Sequence, residues 1–482
     1  MSDFDVAIIG SGIGGLVCGA FLAHEGKKVI VLEKHYQIGG YTHSFKRGKY
    51  KFESAVHSVP LGPDGFILHL LKKLGIHNQL SIIPHKSMYQ TSWDSKTYTV
   101  PPWYEQIKDK ISSDFPHQKK NMTSLLEDMR RFYDSFIEPV RKGSLEETTP
   151  YLDFVQKHQN KTYKQYIDSF IDDDNLRQIL YSQWPFGGTP PEYAPIAYYV
   201  LMFMVHAMEG SHYLSGGFCS LAKSLASVIE NNGGEVKCRS EVTELNTENK
   251  LVKEVVLSDG QRFSVSTVVS NISPYLLYGK LLDHSSRNKI WLRRINNLTP
   301  SLSAVALYLG LNSSVSDILP ECIYFWYSDS CNSEIYKRIR NNTQNNVDHL
   351  IFLRSPEQEG DRTLMLMNFV NNNFSSNWKQ DKKEFSNKIL DKAETVIPEL
   401  RNRINLMETG SPTTFERYTA NTRGALYGFE NSYKIYAEAK LPAQTHIPNL
   451  YLAGHWGKPG GGIWNVVYNG YTAALRILMK SN

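Results

Sequence analysis

The sequence predicts an α/β fold: an open parallel sheet, interrupted twice by insertions that together build an α+β second domain. Two observations carry this expectation. The first forty residues run strand, glycine-rich turn, helix, strand, and the same α/β character returns after Ser215 and again near Asn449. Between these stretches lie long segments of different composition, the first polar and helix-prone, the second richer in strands.

Taken in order, Asp5–Ile9 reads as a buried parallel strand, Gly10–Gly15 as a tight turn, Leu16–Glu25 as an Ala/Leu/Phe helix closed by Gly26, and Val29–Leu32 as the next strand. A polar segment from Pro101 past Arg177 carries the basic clusters His117–Asn121 and Lys157–Lys164, first read as solvated faces and only second as membrane-facing patches. The apolar run Tyr193–Met208 contains Pro195 and His206 and reads as a buried helix. Its Tyr198, Tyr199, Met202, Phe203 and Met204 suit either plain core or the wall of a long apolar tunnel. Beyond Ser215 come Gly216–Gly217, the helix Leu221–Asn231 and the strand Glu235–Arg239. Asp259–Gly260 is a hairpin turn between Val252–Leu257 and Arg262–Val269. Ala304–Leu309 and Leu364–Val370 read as strands, and Lys382–Val396 as a helix.

At 482 residues, 41% of them hydrophobic and 21% charged, the chain is of ordinary globular composition and long enough for at least two domains. A net charge of +5 is too mild to imply nucleic acid. Cys18, Cys219, Cys238, Cys322 and Cys331 are odd in number and scattered without a C-x-x-C pair, which argues against a disulfide scaffold or a cysteine zinc site. No metal-ligand spacing, nucleophile elbow or P-loop occurs. The N-terminus lacks a basic n-region and no apolar run reaches about 18 residues, so neither a signal peptide nor a transmembrane helix is expected. A cytoplasmic location follows, with peripheral attachment to a membrane compatible with the basic clusters.

Gly10, Ser11, Gly12, Ile13, Gly14 and Gly15 form G-x-G-x-x-G in its required context, with a strand before, a helix after, and Glu33 at the end of the second strand. Gly10 permits the turn, Gly12 lets a pyrophosphate approach the backbone, and Gly15 lets helix and strand pack closely. The free N–H groups of the helix start favour phosphate, and Glu33 suits a ribose hydroxyl while repelling a 2′-phosphate. The motif continues through Gly39–Gly40, Phe45–Gly48 and Tyr50–Glu53.

From Asp5 to His57 the sequence resembles the flavin amine oxidase superfamily, and within it the branch of phytoene desaturases, carotenoid isomerases and retinol saturases. Leu214–Phe218, Glu241–Leu245 and Thr267–Asn271 resemble that family's second FAD-contacting stretch. Asn449–Gly454 with Pro459–Gly462 and the following helix resemble its flavin-side segment, and Arg423–Glu430 a segment near flavin and substrate. The resemblance implies an interrupted, GR2-like Rossmann-type FAD-binding domain in parts 1–100, 206–290 and 421–482. It implies a helical substrate region at 101–205 and a substrate sheet with helices at 291–420. FAD would be held by Gly10–Gly15, Glu33, Lys34, Gly39, Gly40, Tyr41, Val242, Asn271, Gly454, His455, Gly461, Gly462 and Ile463. Two departures stand out: His455–Trp456 replace the acid that commonly follows the Ala-Gly step, and Tyr41 replaces the basic residue often found after the glycine pair.

For chemistry the candidates are His57, as a substrate-orienting group or an acid/base near neutral pH, or else a structural histidine. His455 and Trp456 would form a flavin wall or gate, Tyr427 a stacking group, and Glu430 a proton acceptor or a surface carboxylate. The activity implied by the resemblance is FAD-dependent desaturation, saturation or cis/trans isomerisation of carbon–carbon bonds in a lipophilic polyene such as a carotenoid or retinoid, with oxygen or a quinone as electron acceptor. Oxidation of an amine or another natural-product intermediate is the alternative. A non-catalytic prenyl-protein-binding module like the Rab GDP-dissociation inhibitors is a remote third.

Overall fold

The computed structural model describes residues 2–145, 148–329, 333–344, 346–356, 362–433 and 441–481. Two seven-stranded sheets organise the chain. In the first, Phe4–Ile9 lies between Val29–Leu32 and Arg262–Ser270, all parallel, with Glu235–Lys237 beyond Val29–Leu32 and Leu450–Leu452 beside the end of Arg262–Ser270. The hairpin expected at Asp259–Gly260 is present. Leu251–Leu257 pairs antiparallel with the start of Arg262–Ser270, and Val242–Glu248 extends the sheet. This sheet is buried on both faces: Val6, Ile8, Val29 and Val31 pack into one apolar cluster, while Ala7, Ile9, Ile30 and Leu32 pack into another. Such two-sided burial is why these strands read as continuous apolar runs.

The glycine turn behaves as its sequence requires. Gly10 sits at φ +91°, a conformation costly for any side chain, and a Cβ on Gly15 would stand 3.1 Å from Ile8 Cγ2, so helix Ile13–His24 lies directly on its strand. The same helix packs against the C-terminal helix Ile463–Ser481, joining the two ends of the chain. Ser44–Arg47 and Tyr50–Glu53, in the stretch that follows Gly39–Gly40, form a short hairpin.

The second sheet runs Ile404–Gly410, Ser303–Leu311, Thr363–Val370, His349–Arg354, Ile323–Tyr327, Tyr89–Trp93 and Lys96–Val100. The boundary drawn at residue 100 therefore needs correcting, because Tyr89–Trp93 and Lys96–Val100 already pair into this sheet, Tyr89–Trp93 lying parallel to Ile323–Tyr327. Alternation along its strands sends Ile323, Phe325, Ile351 and Met367 to one side and Tyr324, Leu350, Phe352 and Leu366 to the other. Helix Trp378–Ala393 covers the latter face through Phe385, Ile389 and Leu390.

The polar segment is helical as expected, its longest element being Lys119–Arg141. Tyr193–Met208 becomes helix Ile196–Glu209, and among the described residues no helix is long and apolar enough to cross a membrane. Cys18, Cys219, Cys238 and Cys322 are free thiols, and Cys331 lies outside the described residues.

Candidate functional site

A deep, open-mouthed cleft runs from the carboxyl ends of the parallel strands to the inner face of the second sheet. A cleft at this edge of a doubly wound sheet is where dinucleotides bind.

The nucleotide half is built on Glu33 and Asn271. Glu33 Oε2 accepts hydrogen bonds from the Ser11 backbone N–H (2.8 Å) and Ser11 Oγ–H (2.7 Å), and Oε1 accepts from the His35 N–H (2.8 Å). The carboxylate is thus fixed against the turn at the strand end, where a ribose would meet it. Asn271 N–H donates to Ile9 O (2.9 Å) and Nδ2 to Gly10 O (3.3 Å), while Oδ1 is buried without a hydrogen-bond partner. A Cβ on Gly12 would stand 2.7 Å from Asn271 Nδ2, and one on Gly14 would stand 2.7 Å from the Gly454 nitrogen. Bare backbone is therefore needed where the turn, Asn271 and Gly454 meet.

Gly10, Gly12, Ile13, Glu33, Lys34, Gly39, Gly40, Tyr41, Val242, Asn271, Gly454, His455, Gly461, Gly462 and Ile463 all line this cleft. Ser11, Gly14 and Gly15 stand behind it, the first holding Glu33 and the others packing the helix. Tyr41 ties the first and last parts of the nucleotide domain together by donating its hydroxyl to Ala425 O (3.0 Å), and burial pushes that hydroxyl up to about 12. The first turn of the helix beginning at Ile463 lines the cleft, which puts the partial positive charge of a helix start beside it, suited to an electron-rich ring edge. An orphaned acceptor, a glycine cradle, a fixed carboxylate and a helix start together fit the FAD expected from the sequence.

The candidates for chemistry separate. Tyr427 lines the cleft, with its hydroxyl donating to Pro185 O (2.7 Å) and its N–H to Ser301 Oγ (2.9 Å). His455 also lines it, with Nε2 3.0 Å from Asn421 Oδ1, and burial drives its imidazole down to about 4. Trp456 does not line the cleft. Its indole packs on Phe429 and Tyr275, in the turn that follows Leu450–Leu452, while Nε1–H donates to the same Asn421 Oδ1 (3.0 Å). Glu430 is likewise outside, paired with Arg340 at 2.7 Å, so the proton-acceptor assignment does not hold at this site. His57 does line the cleft with Nδ1 buried and unpartnered, but burial drives it down to about 3. Burial thus favours the neutral imidazole, which argues against acid/base work near neutral pH and leaves a substrate-orienting or a structural role.

The second half of the cleft is walled by Phe186, Leu201, Met202, Val205, Ile323, Phe325, Ile351 and Met367. Tyr198 and Met202 of the aromatic helix face it, whereas Tyr199, Phe203 and Met204 are core. Tyr198 donates its hydroxyl to Gly461 O (2.9 Å), joining this wall to the cofactor side. The residues that line the cleft and carry an Asp, Glu, Lys or Arg side chain are Glu33, Lys34, Glu241 and Lys280, all at the nucleotide end. Sequence reading missed His206 and the sheet residues. Their one signal was the alternation Ile323/Phe325, which does not say what the inward face surrounds.

Known proteins agree with this geometry. The profile of flavin containing amine oxidoreductases matches residues 13–478. All-trans-retinol 13,14-reductase of Danio rerio is 25% identical over 518 residues, covering 94% of this chain and 82% of that protein. A 1-hydroxycarotenoid 3,4-desaturase of Flavobacterium sp. (strain P99-3) is 25% identical over 95% of both chains, and the chloroplastic prolycopene isomerase of Daucus carota is 26% identical over 98% of this chain and 80% of its own. Among solved structures, putrescine oxidase bound to putrescine superposes with a TM-score of 0.65 at 15% identity, covering 99% of each chain, a likeness of fold. The chain therefore belongs to the flavin-containing amine oxidoreductase family, whose members are FAD-dependent oxidoreductases.

Proposed function

We propose that the chain acts on carbon–carbon bonds of a lipophilic polyene, of the carotenoid or retinoid class, by desaturation, saturation or cis/trans isomerisation. The observation that carries this reading is the apolar second half of the cleft. Among the described lining residues it has no Asp, Glu, Lys or Arg side chain, so it suits a long hydrocarbon and gives an ammonium group no counter-charge. The named activities of the retinol, hydroxycarotenoid and prolycopene relatives support it.

Bound FAD would supply hydride chemistry at N5. The protein's part is placement. Glu33, the glycine turn and Asn271 would hold the nucleotide end, and the Ile463 helix start would stabilise negative charge on the flavin. Tyr427, clamped at both its N–H and its hydroxyl, and Tyr198, tied to Gly461, are rigid cleft walls that would position the polyene. His455 is neutral and engaged with Asn421, a wall residue rather than a proton carrier. The aliphatic and aromatic walls exclude water. In the desaturating direction the electrons would pass on to oxygen or a quinone. Peripheral contact with a bilayer belongs to the same reading, and helix Lys289–Asn297, with Ile290 exposed beside Lys289 and close to Arg293, is the surface to examine by vesicle co-sedimentation.

The test is chromatographic analysis of carotenoids and retinoids after anaerobic incubation with the FAD-loaded protein, oxidised and reduced. A changed polyene in one of the two states supports the reading. Unchanged polyenes in both, with peroxide released from amines in air, would move the assignment to amine oxidation.

A further inference from the structure

The apolar half of the cleft has one polar wall. One turn beyond Met202 on helix Ile196–Glu209, His206 faces the same cavity, its ring stacked on Phe186 with centroids 5.6 Å apart and 21° between planes. His206 Nδ1 lies 2.9 Å from Ser211 Oγ, which leaves Nε2 for whatever occupies the cavity. His57 lines the cavity too, and its Nδ1 and the neighbouring Ser58 Oγ are buried without hydrogen-bond partners. The two histidines come from distant parts of the chain and are brought together by backbone pairing. Val59 and His212 exchange hydrogen bonds of 3.0 and 2.9 Å, and the Leu61 N–H donates to His212 Nδ1 (3.1 Å).

Buried polar groups without partners are costly, and a site that keeps them open is matched to a ligand that fills them. Both imidazoles are held neutral by burial, each driven down to about 3. A neutral imidazole donates at one nitrogen and accepts at the other, as a hydroxyl both donates and accepts. It offers nothing to neutralise a carboxylate or an ammonium ion, whose burial without a counter-charge is strongly unfavourable.

Resting on the polyene reading above, we propose that His57 and His206 form a head-group subsite, and that the substrate is a lipophilic chain ending in a neutral hydroxyl. Such a site rejects an analogue that lacks the hydroxyl, because the wall's own polar atoms are then left unpaired.

The experiment is equilibrium binding of all-trans-retinol, its deoxy hydrocarbon and the corresponding carboxylic acid to the FAD-loaded protein, read by ligand absorbance and fluorescence. Wild type should prefer the alcohol to both others by about tenfold or more. His206→Phe should bring alcohol and hydrocarbon to similar affinity with the hydrocarbon's own binding little changed, and His206→Gln should restore part of the preference. Equal binding of alcohol and hydrocarbon by wild type, or tightest binding of the acid, overturns the subsite while leaving the polyene reading intact. That comparison needs no variant, so a misfolded substitution does not rescue the proposal. Failure of every polyene to bind the flavin-loaded protein overturns the polyene reading itself, and the subsite with it.

Discussion

Glu209 ends the helix that walls the substrate half, and at 1% exposure its carboxylate is a junction of three elements. It accepts hydrogen bonds from the Tyr133 hydroxyl (2.7 Å), the Phe66 backbone N–H (3.1 Å) and Trp464 Nε1–H (3.3 Å), and Trp464 itself lines the cleft. Burial is the largest influence on this group, ahead of the opposing donors and Arg141, and pushes its carboxyl from 4.5 up to about 7. The native state then binds more protons than the unfolded chain between those values. Stability contributed by this group is complete below the unfolded value and is lost as pH rises through 7. A shift of that size corresponds to about 3 kcal/mol at 1.36 kcal/mol per unit. Glu209→Gln keeps the shape, lets one amide oxygen accept from Phe66 and Trp464, and does not titrate. Urea unfolding of both proteins from pH 5 to 8 should show the variant gaining about 2.5 kcal/mol relative to wild type across the range. A difference that stays flat would refute the reasoning and mean that the three donors hold the carboxylate ionised at ordinary pH. Glu209→Ala should be harmful at every pH, since each buried donor left without a partner costs about 1–3 kcal/mol.

Three other outcomes are expected. Gly12→Val drives a branched side chain at Asn271 Nδ2, where even a Cβ would stand at 2.7 Å; overpacking of about 1–3 kcal/mol would cut FAD affinity by up to roughly a hundredfold, read as the flavin-to-protein ratio after purification. His349, fully buried, accepts the Phe369 N–H at Nε2 (3.0 Å) and is driven down to about 3, so its contribution is present above 6.5 and lost as pH falls; between pH 6.5 and 5 this is about 2 kcal/mol, and His349→Gln should flatten the acid limb of a thermal-stability profile. Glu430→Ala strands Arg340 and should cost about 3 kcal/mol by denaturant unfolding, while flavin content and the rate of flavin reduction stay unchanged.

The nucleotide half was legible because its chemistry is local. Gly10, Gly12, Gly15 and Glu33 act within one strand–turn–helix–strand unit, where spacing alone fixes which backbone approaches which. The hairpin at Gly260 and the two-sided strands were legible for the same reason. The substrate half depends on contacts that cross the chain: His57 meets the His206 neighbourhood through long-range bonds such as the Val59–His212 pairing, and Glu430 finds Arg340 from 90 residues away. His455 and Trp456 show the finer limit. They are neighbours in a turn and share Asn421 Oδ1, and only the fold decides that the imidazole lines the cleft while the indole packs on Phe429. The aromatic helix was read as core or tunnel wall, and it is both: Tyr198 and Met202 take one side, Phe203 and Met204 the other.

The most direct test of the account is the visible absorption of the purified protein, recorded anaerobically before and after reduction and then on adding a polyene. The account predicts flavin bands that bleach on reduction, followed by a change in the polyene's own bands that depends on the flavin's redox state. A folded protein that shows no flavin and takes up none when FAD is added, or a flavin that exchanges electrons with amines while the polyene spectrum stays unaltered, would contradict it.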